Sequence, residues 1–121
     1  MEKTLVIDGR QVPFRSTGAF LLRYKMQFQR DALKDLVKLG PLIKQVQAMG
    51  ETEDMEQLAN IIETLDLQLF YNFAWVLAKV ADNSIPEPMT WLDSFGEFPI
   101  MDIMSDLMEL IEKSIGVSKK N

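Results

Sequence analysis

Leu67-Gln68-Leu69-Phe70-Tyr71-Asn72-Phe73-Ala74-Trp75-Val76-Leu77-Ala78-Lys79-Val80-Ala81 is the most apolar stretch of the chain. Wound into a helix, it carries apolar side chains on almost every side, the mark of the buried centre of a bundle rather than of a surface helix. Upstream the pattern is more regular: Leu58, Ile62, Leu65, Leu69, Phe73, Val76 and Val80 step by fours and threes. The spacing predicts one long helix over 52–82, kinked near Asp66. Glu51, Glu53, Asp54 and Glu56 stand at its start, where the helix dipole favours negative charge. The apolar part is about 15 residues long and is interrupted by Gln68, Asn72 and Lys79, so it is too short and too polar to span a bilayer.

Toward the C-terminus, the prolines of Asp82-Asn83-Ser84-Ile85-Pro86-Glu87-Pro88 hold their predecessors out of the helical region and predict an extended linker. Met89 to Phe95 suits one or two helical turns, Gly96 breaks the chain, and Pro99 opens a last helix to about Lys113. In that helix Ile100, Ile103, Met104, Leu107, Ile111 and Ile115 make one stripe, with Met101, Met108 and Leu110 largely outside it. Toward the N-terminus, Gly50 and Gly40-Pro41 bracket a short helix at 42–49, with Leu42, Ile43 and Val46 inward. A first long helix at 18–38, capped by Ser16 or Thr17, has apolar residues wrapping more than one stripe. Ahead of it, Thr4 to Ile7, Asp8-Gly9 and Arg10 to Phe14 read as a hairpin with a type I′ turn. Pro13 makes the second strand an edge. A two-stranded ribbon is marginal alone, so it must lean on helices or pair with another chain. The expected fold is mainly α: one small helical domain over 1–121, with a β-hairpin at 4–15, a helical body at 17–115 and a frayed tail at 116–121.

The chain has 121 residues with neither cysteine nor histidine. That excludes disulfides, thiolate nucleophiles, imidazole bases, Ser-His-Asp triads and Cys- or His-ligated metals. Charge is unevenly spread: residues 1–40 carry +4, residues 41–80 carry −4 and residues 81–121 carry −5. Such asymmetry suits attraction between the two halves of one chain, or head-to-tail self-association. An acidic protein whose basic residues are interrupted by Asp31 and Asp35 does not suit nucleic acid. Met1-Glu2-Lys3 leads into only three apolar residues, which is no signal peptide, so the expected compartment is the cytoplasm.

Little in the sequence suits catalysis. Asp102, Asp106 and Glu109 share a helical face and could hold Mg²⁺ or Ca²⁺, but no Gly-bearing loop or EF-hand spacing accompanies them, and a solvated ridge is the plainer reading. There is no P-loop, GxGxxG or GxSxG. No enzyme, cofactor or metal is therefore expected. The residues singled out for partner binding are Trp91, Phe95, Phe98, Met101 and Met108. Aromatics are dense between 91 and 98, and four of the eight methionines fall between 89 and 108. Methionine adapts to several helical partners. The alternative is that these side chains clamp the last helix onto the central one.

Three blocks carry a family resemblance. They are Phe14-Arg15-Ser16-Thr17-Gly18-Ala19-Phe20-Leu21-Leu22-Arg23-Tyr24-Lys25 with Arg30-Asp31-Ala32-Leu33-Lys34-Asp35-Leu36; Phe70-Tyr71-Asn72-Phe73-Ala74-Trp75-Val76-Leu77-Ala78-Lys79-Val80-Ala81-Asp82; and Ile85-Pro86-Glu87-Pro88-Met89-Thr90-Trp91-Leu92-Asp93-Ser94-Phe95 with Phe98-Pro99-Ile100. Together they resemble the tail assembly chaperones of long-tailed, non-contractile bacteriophages and related prophages. The resemblance implies a non-enzymatic role: binding the long, apolar, helical tape measure protein and keeping it soluble until tail-tube protein polymerises around it. It also implies the host cytoplasm as location, absence from the mature virion, homo-oligomers, and a longer form made by ribosomal frameshifting. Lys120-Asn121 is compatible with slippery AAA-AAC codons. The contrasting expectation is a structural tail or connector subunit that uses the hairpin for β-pairing between copies.

Overall fold

The computed structural model describes residues 1–38, 56, 59 and 67–116. The predicted helix at 42–49, the kink near Asp66 and the tail beyond Gly116 lie outside the described residues. So does the 52–66 part of the long helix, apart from Glu56 and Ala59, which are helical. The elements are β1 (Glu2–Ile7), β2 (Arg10–Arg15), α1 (Phe20–Phe28), α2 (residues 32–38), α3 (Leu67–Ala81), α4 (Pro88–Asp93) and α5 (Ile100–Ser114). The domain is mainly α with an N-terminal antiparallel hairpin, as the sequence predicts.

Helix α3 is the centre. From Leu69 to Ala78 every residue except Tyr71 is buried. Strand β2, α1 and α5 all pack against it, which is how a helix without a polar face escapes water. The buried side chains form one continuous cluster. Large side chains such as Trp91, Phe70, Phe73 and Leu107 each contribute about 1.5–3 kcal/mol on leaving water.

The hairpin closes as its turn chemistry requires. Asp8 and Gly9 both have positive φ, 52° and 74°, the pair of left-handed residues that a type I′ turn needs. Ile7 pairs with Arg10, Leu5 with Val12, Thr4 with Pro13 and Lys3 with Phe14. Hydrogen-bonded and open pairs alternate away from a two-residue turn, so Pro13 falls at an open pair, where its missing N–H costs nothing. Directly paired residues share a face. The inner face therefore reads Lys3/Phe14, Leu5/Val12, Ile7/Arg10, with an apolar middle and a cation at each end.

Both cations reach helical parts. Lys3 Nζ lies 2.9 Å from Asp106 Oδ1 and 2.7 Å from Glu109 Oε2 on α5. Arg10 donates to Ser94 Oγ at 3.0 Å and stacks 4.1 Å above the Phe95 ring. The turn itself is held as well: Gly96 N–H donates to Asp8 Oδ2 at 2.7 Å. A Cβ at position 96 would come within 3.2 Å of that oxygen, so the contact suits glycine. The hairpin thus leans on the helices of its own chain.

The predicted helix at 18–38 is two helices. Gln29 takes φ 58° and its N–H caps α1 by donating to Lys25 O at 2.9 Å. Asp31 Oδ1 then accepts from the N–H groups of Leu33 and Lys34 at 2.9 and 3.3 Å, an N-cap that starts α2. The break has a purpose in packing. It brings Asp35, almost fully buried, back onto α1, where Tyr24 Oη donates to Asp35 Oδ2 at 2.8 Å. Arg30, in the turn, grips both oxygens of the same carboxylate at 2.8 Å. The side chain of Asn72, buried on α3, hydrogen-bonds the Tyr24 oxygen. No buried side-chain polar atom among the described residues lacks a partner.

Beyond α3, the segment predicted as an extended linker instead begins with a turn, closed by Ile85 N–H donating to Asp82 O at 3.3 Å, and is fastened back on the helix. Trp75 Nε1–H donates to Pro86 O at 3.0 Å, and Lys79 Nζ donates to Asn83 O and Ile85 O at 2.8 Å each. Pro88 starts α4 from its first turn, where a missing N–H is harmless. Pro99 sits at the N-cap of α5. There Ile100, Ile103, Met104, Leu107 and Ile111 are buried as the stripe predicts, but Leu110, read as outside it, is fully buried too. The hairpin and α3 both contact α5, so its buried arc is wider than a single stripe.

The Asp35 cluster has a pH signature. The Arg30 guanidinium holds the Asp35 carboxyl below its ordinary value of 3.8, and burial with the Asp35 bond pushes the Tyr24 phenol up. A lowered carboxyl pKa means that the unfolded chain binds the extra proton. Its stabilisation is complete above the unfolded value and is lost as pH falls through the native one. Asp35→Ala is expected to lower the unfolding free energy by about 1.5–3 kcal/mol at neutral pH, measured by urea denaturation. The gap from wild type should close in acid, at pH values below the native pKa of Asp35.

Candidate functional site

Of the five residues singled out in the sequence, Trp91, Phe95 and Phe98 come together. Trp91 and Phe95 rings meet edge-on at 5.2 Å, Phe98 lies 5.7 Å from Trp91 and 5.6 Å from Phe95, and Phe98 reaches Tyr71 of α3 at 5.6 Å. Trp91 is 2% and Phe95 7% exposed, so both rings are core and offer no surface to a partner. Phe98, Met101 and Met108 are half-buried, packed against that core. Phe98 links the Trp91–Phe95 pair to Tyr71 of α3. The acids read as a ridge are also engaged, since Asp106 and Glu109 share the Lys3 ammonium. Among the described residues no group of three or more carboxylates could hold a metal ion.

Apolar surface is left elsewhere. Leu22 and Met26 on α1 are 63% and 69% exposed, and Leu33 and Val37 on α2 are 48% and 75% exposed. Each pair is spaced i, i+4, so each lies on one helical face. Around them stand Arg23, Lys25, Lys34 and Lys38, all exposed. Among the described residues no carboxylate comes within salt-bridge distance of these four. Most of the +4 charge of residues 1–40 is therefore displayed here, beside exposed aliphatic side chains.

A groove opens along the same helix. It has a volume of about 340 Å³ and is lined by Arg23, Met26 and Gln27 of α1 and Trp75, Val76 and Lys79 of α3. Its wall is rigid, because Trp75 is tied through its indole N–H to the linker and packs edge-on against Phe28 at 6.1 Å. The sequence held a signal for this surface: Leu22 and Met26 lie opposite Phe20 and Tyr24 on a helix with two apolar sides. That excess predicts contact with neighbours on two sides. The break at Gln29 leaves the second side open instead.

Neither a family model, a curated protein nor a solved structure matches the chain. Among the described residues no helix is long and apolar enough to cross a membrane.

The division between core and surface is measurable. Trp91→Ala is expected to cost about 3–5 kcal/mol, whereas Met26→Ser should stay within about 0.5 kcal/mol of wild type. Thermal and urea unfolding of the two variants check both. Equal losses would mean that the Met26 face is covered.

Proposed function

We propose that the chain is a non-enzymatic binding module that acts as a phage tail assembly chaperone. In this reading it holds the tape measure protein by helix-in-groove contacts, keeps it soluble in the host cytoplasm and helps recruit tail-tube protein. It forms homo-oligomers, has a frameshifted longer counterpart and is absent from the mature virion. The observation that carries the reading is the exposure of Leu22 and Met26 on α1, the latter lining a groove, together with that of Leu33 and Val37 on α2. Contiguous exposed apolar patches mark protein–protein contact sites, and an apolar helical client fits such a helix face. The three sequence blocks supply the particular client.

Co-expression with a tape measure protein tests it. Its soluble fraction should rise several-fold and the two chains should co-purify. Leu22→Asp combined with Val37→Asp should abolish both effects while leaving the unfolding midpoint close to wild type. A structural tail subunit remains the second reading, favoured by a two-stranded sheet whose strands are both edges. Mass spectrometry of purified particles separates them, because a chaperone is missing from the particle and a subunit is present.

A further inference from the structure

Resting on the binding-module reading, we propose that the groove between α1 and α3 selects an acidic amphipathic helix: one with an apolar stripe flanked by carboxylates. Three features of the groove lead to this occupant.

Its floor is apolar. Met26, Trp75 and Val76 supply a flexible thioether, a fixed indole and a branched side chain. A volume of about 340 Å³ is at the lower end of ordinary ligand pockets. It takes a few aliphatic side chains of a docked helix and continues into the exposed Leu22–Met26 row. Methionine at the centre lets the floor repack around different aliphatic anchors.

Its charged groups among the described residues are all of one sign, beside the neutral Gln27. Among the described residues that line it, Arg23 and Lys79 are the only charged side chains, and both are cations. Lys79 spends two of its three N–H donors on Asn83 O and Ile85 O, leaving one directed elsewhere. The nearby Asp82 gives one carboxylate oxygen to the backbone N–H and hydroxyl of Ser84 and is also drawn to the Lys79 charge, without coming within salt-bridge distance of it. Arg23 has no carboxylate within salt-bridge distance among the described residues. A guanidinium and an ammonium beside a desolvating apolar floor favour carboxylates on whatever fills it.

The surroundings disfavour the other anionic occupants. The groove is concave and the whole chain carries −5, which opposes adsorption to a flat anionic bilayer. A nucleic acid would need a longer track of cations than the two lining this groove.

The test uses a synthetic helical peptide of about twenty residues, long enough to populate a helix, with Leu at i, i+4 and i+7 and Glu at the flanking positions. A companion peptide has Lys in place of each Glu. Trp91→Phe leaves Trp75, in the groove wall, as the sole tryptophan, which can be excited selectively over the two tyrosines, and calorimetry on the wild-type chain gives the same ranking without that substitution. The Glu peptide should bind saturably and shift the Trp75 emission, and the Lys peptide should bind at least about tenfold more weakly. Arg23→Glu should narrow or invert that ratio, and Met26→Asp should weaken the Glu peptide at least about tenfold. Equal binding of the two peptides, no saturable binding, or tighter binding to phosphatidylglycerol vesicles or single-stranded DNA than to the Glu peptide would overturn the proposal. The two readings fail separately. If tape measure protein is rescued as well by the Arg23→Glu and Met26→Asp variants as by wild type, the groove is not the site and the chaperone reading stands. If the Glu peptide binds while tape measure protein does not, the groove stands and the phage assignment falls.

Discussion

A helix that is apolar on all sides cannot rest on one neighbour. Residues 69–78 of α3 place aromatic, aliphatic and alanine side chains around the whole circumference, and only a wrapping of several elements removes them from water. The hairpin, α1 and α5 each cover part of that circumference. The rest of the fold follows from this demand. A two-stranded ribbon, marginal by itself, becomes stable because it supplies one wall. A six-residue α4 exists because Trp91 and Phe95 have to be turned inward to close another.

Apolar burial gives cohesion but little direction, and the directions here come from a few polar contacts at the margins. Lys3 and Arg10 stand at opposite ends of the hairpin's inner face and fix its orientation against α5 and the 94–96 turn. Asp35 does the same for α2, drawing Tyr24 and Arg30 around one carboxylate. The two kinds of contact differ in strength. The Lys3 pairs are partly exposed to solvent, and screened pairs of that sort contribute at most about 1 kcal/mol. The Asp35 carboxylate is nearly out of water, so its partners matter more, and removing them leaves a buried charge unmet.

How far the sequence could be read follows the same division. Period and turn chemistry are local, so the hairpin around Asp8-Gly9, the central helix and the Pro99 start of α5 were legible from adjacent residues. The break at Gln29 was not. Glutamine carries no left-handed preference, and the reason for the break is a bond between Tyr24 and Asp35, 11 residues apart. In the sequence Asp31 looks like an interruption in a basic run, and its role as the cap of α2 shows only in the structure. That Trp91 and Phe95 are core is hidden from the sequence for a related reason. Aromatic density at 91–98 and the methionines after it look alike whether they face a partner or a core, and only the placement of Tyr71 and α3 decides that Trp91 faces inward. Leu22 and Met26 were ordinary helical apolar residues until the chain was seen to leave their side uncovered.

The uncovered side is the natural consequence of how the chain satisfies α3. Phe20 and Tyr24 turn one face of α1 onto Phe73, with Tyr24 stacked at 4.8 Å. Two faces of a single helix cannot both meet the same neighbour, so Leu22 and Met26 point away once the first face is seated. Had α1 run straight through to residue 38, Asp35 would not have returned to Tyr24, and the Leu33–Val37 pair would have stood elsewhere. The turn that buries one carboxylate therefore also sets the Leu22–Met26 and Leu33–Val37 pairs on two separate helices, each beside exposed cations. A stability feature and a binding surface arise here from the same backbone break. For that reason substitutions at Asp35 are expected to act on binding through the placement of α2, and substitutions at Met26 to act on it directly.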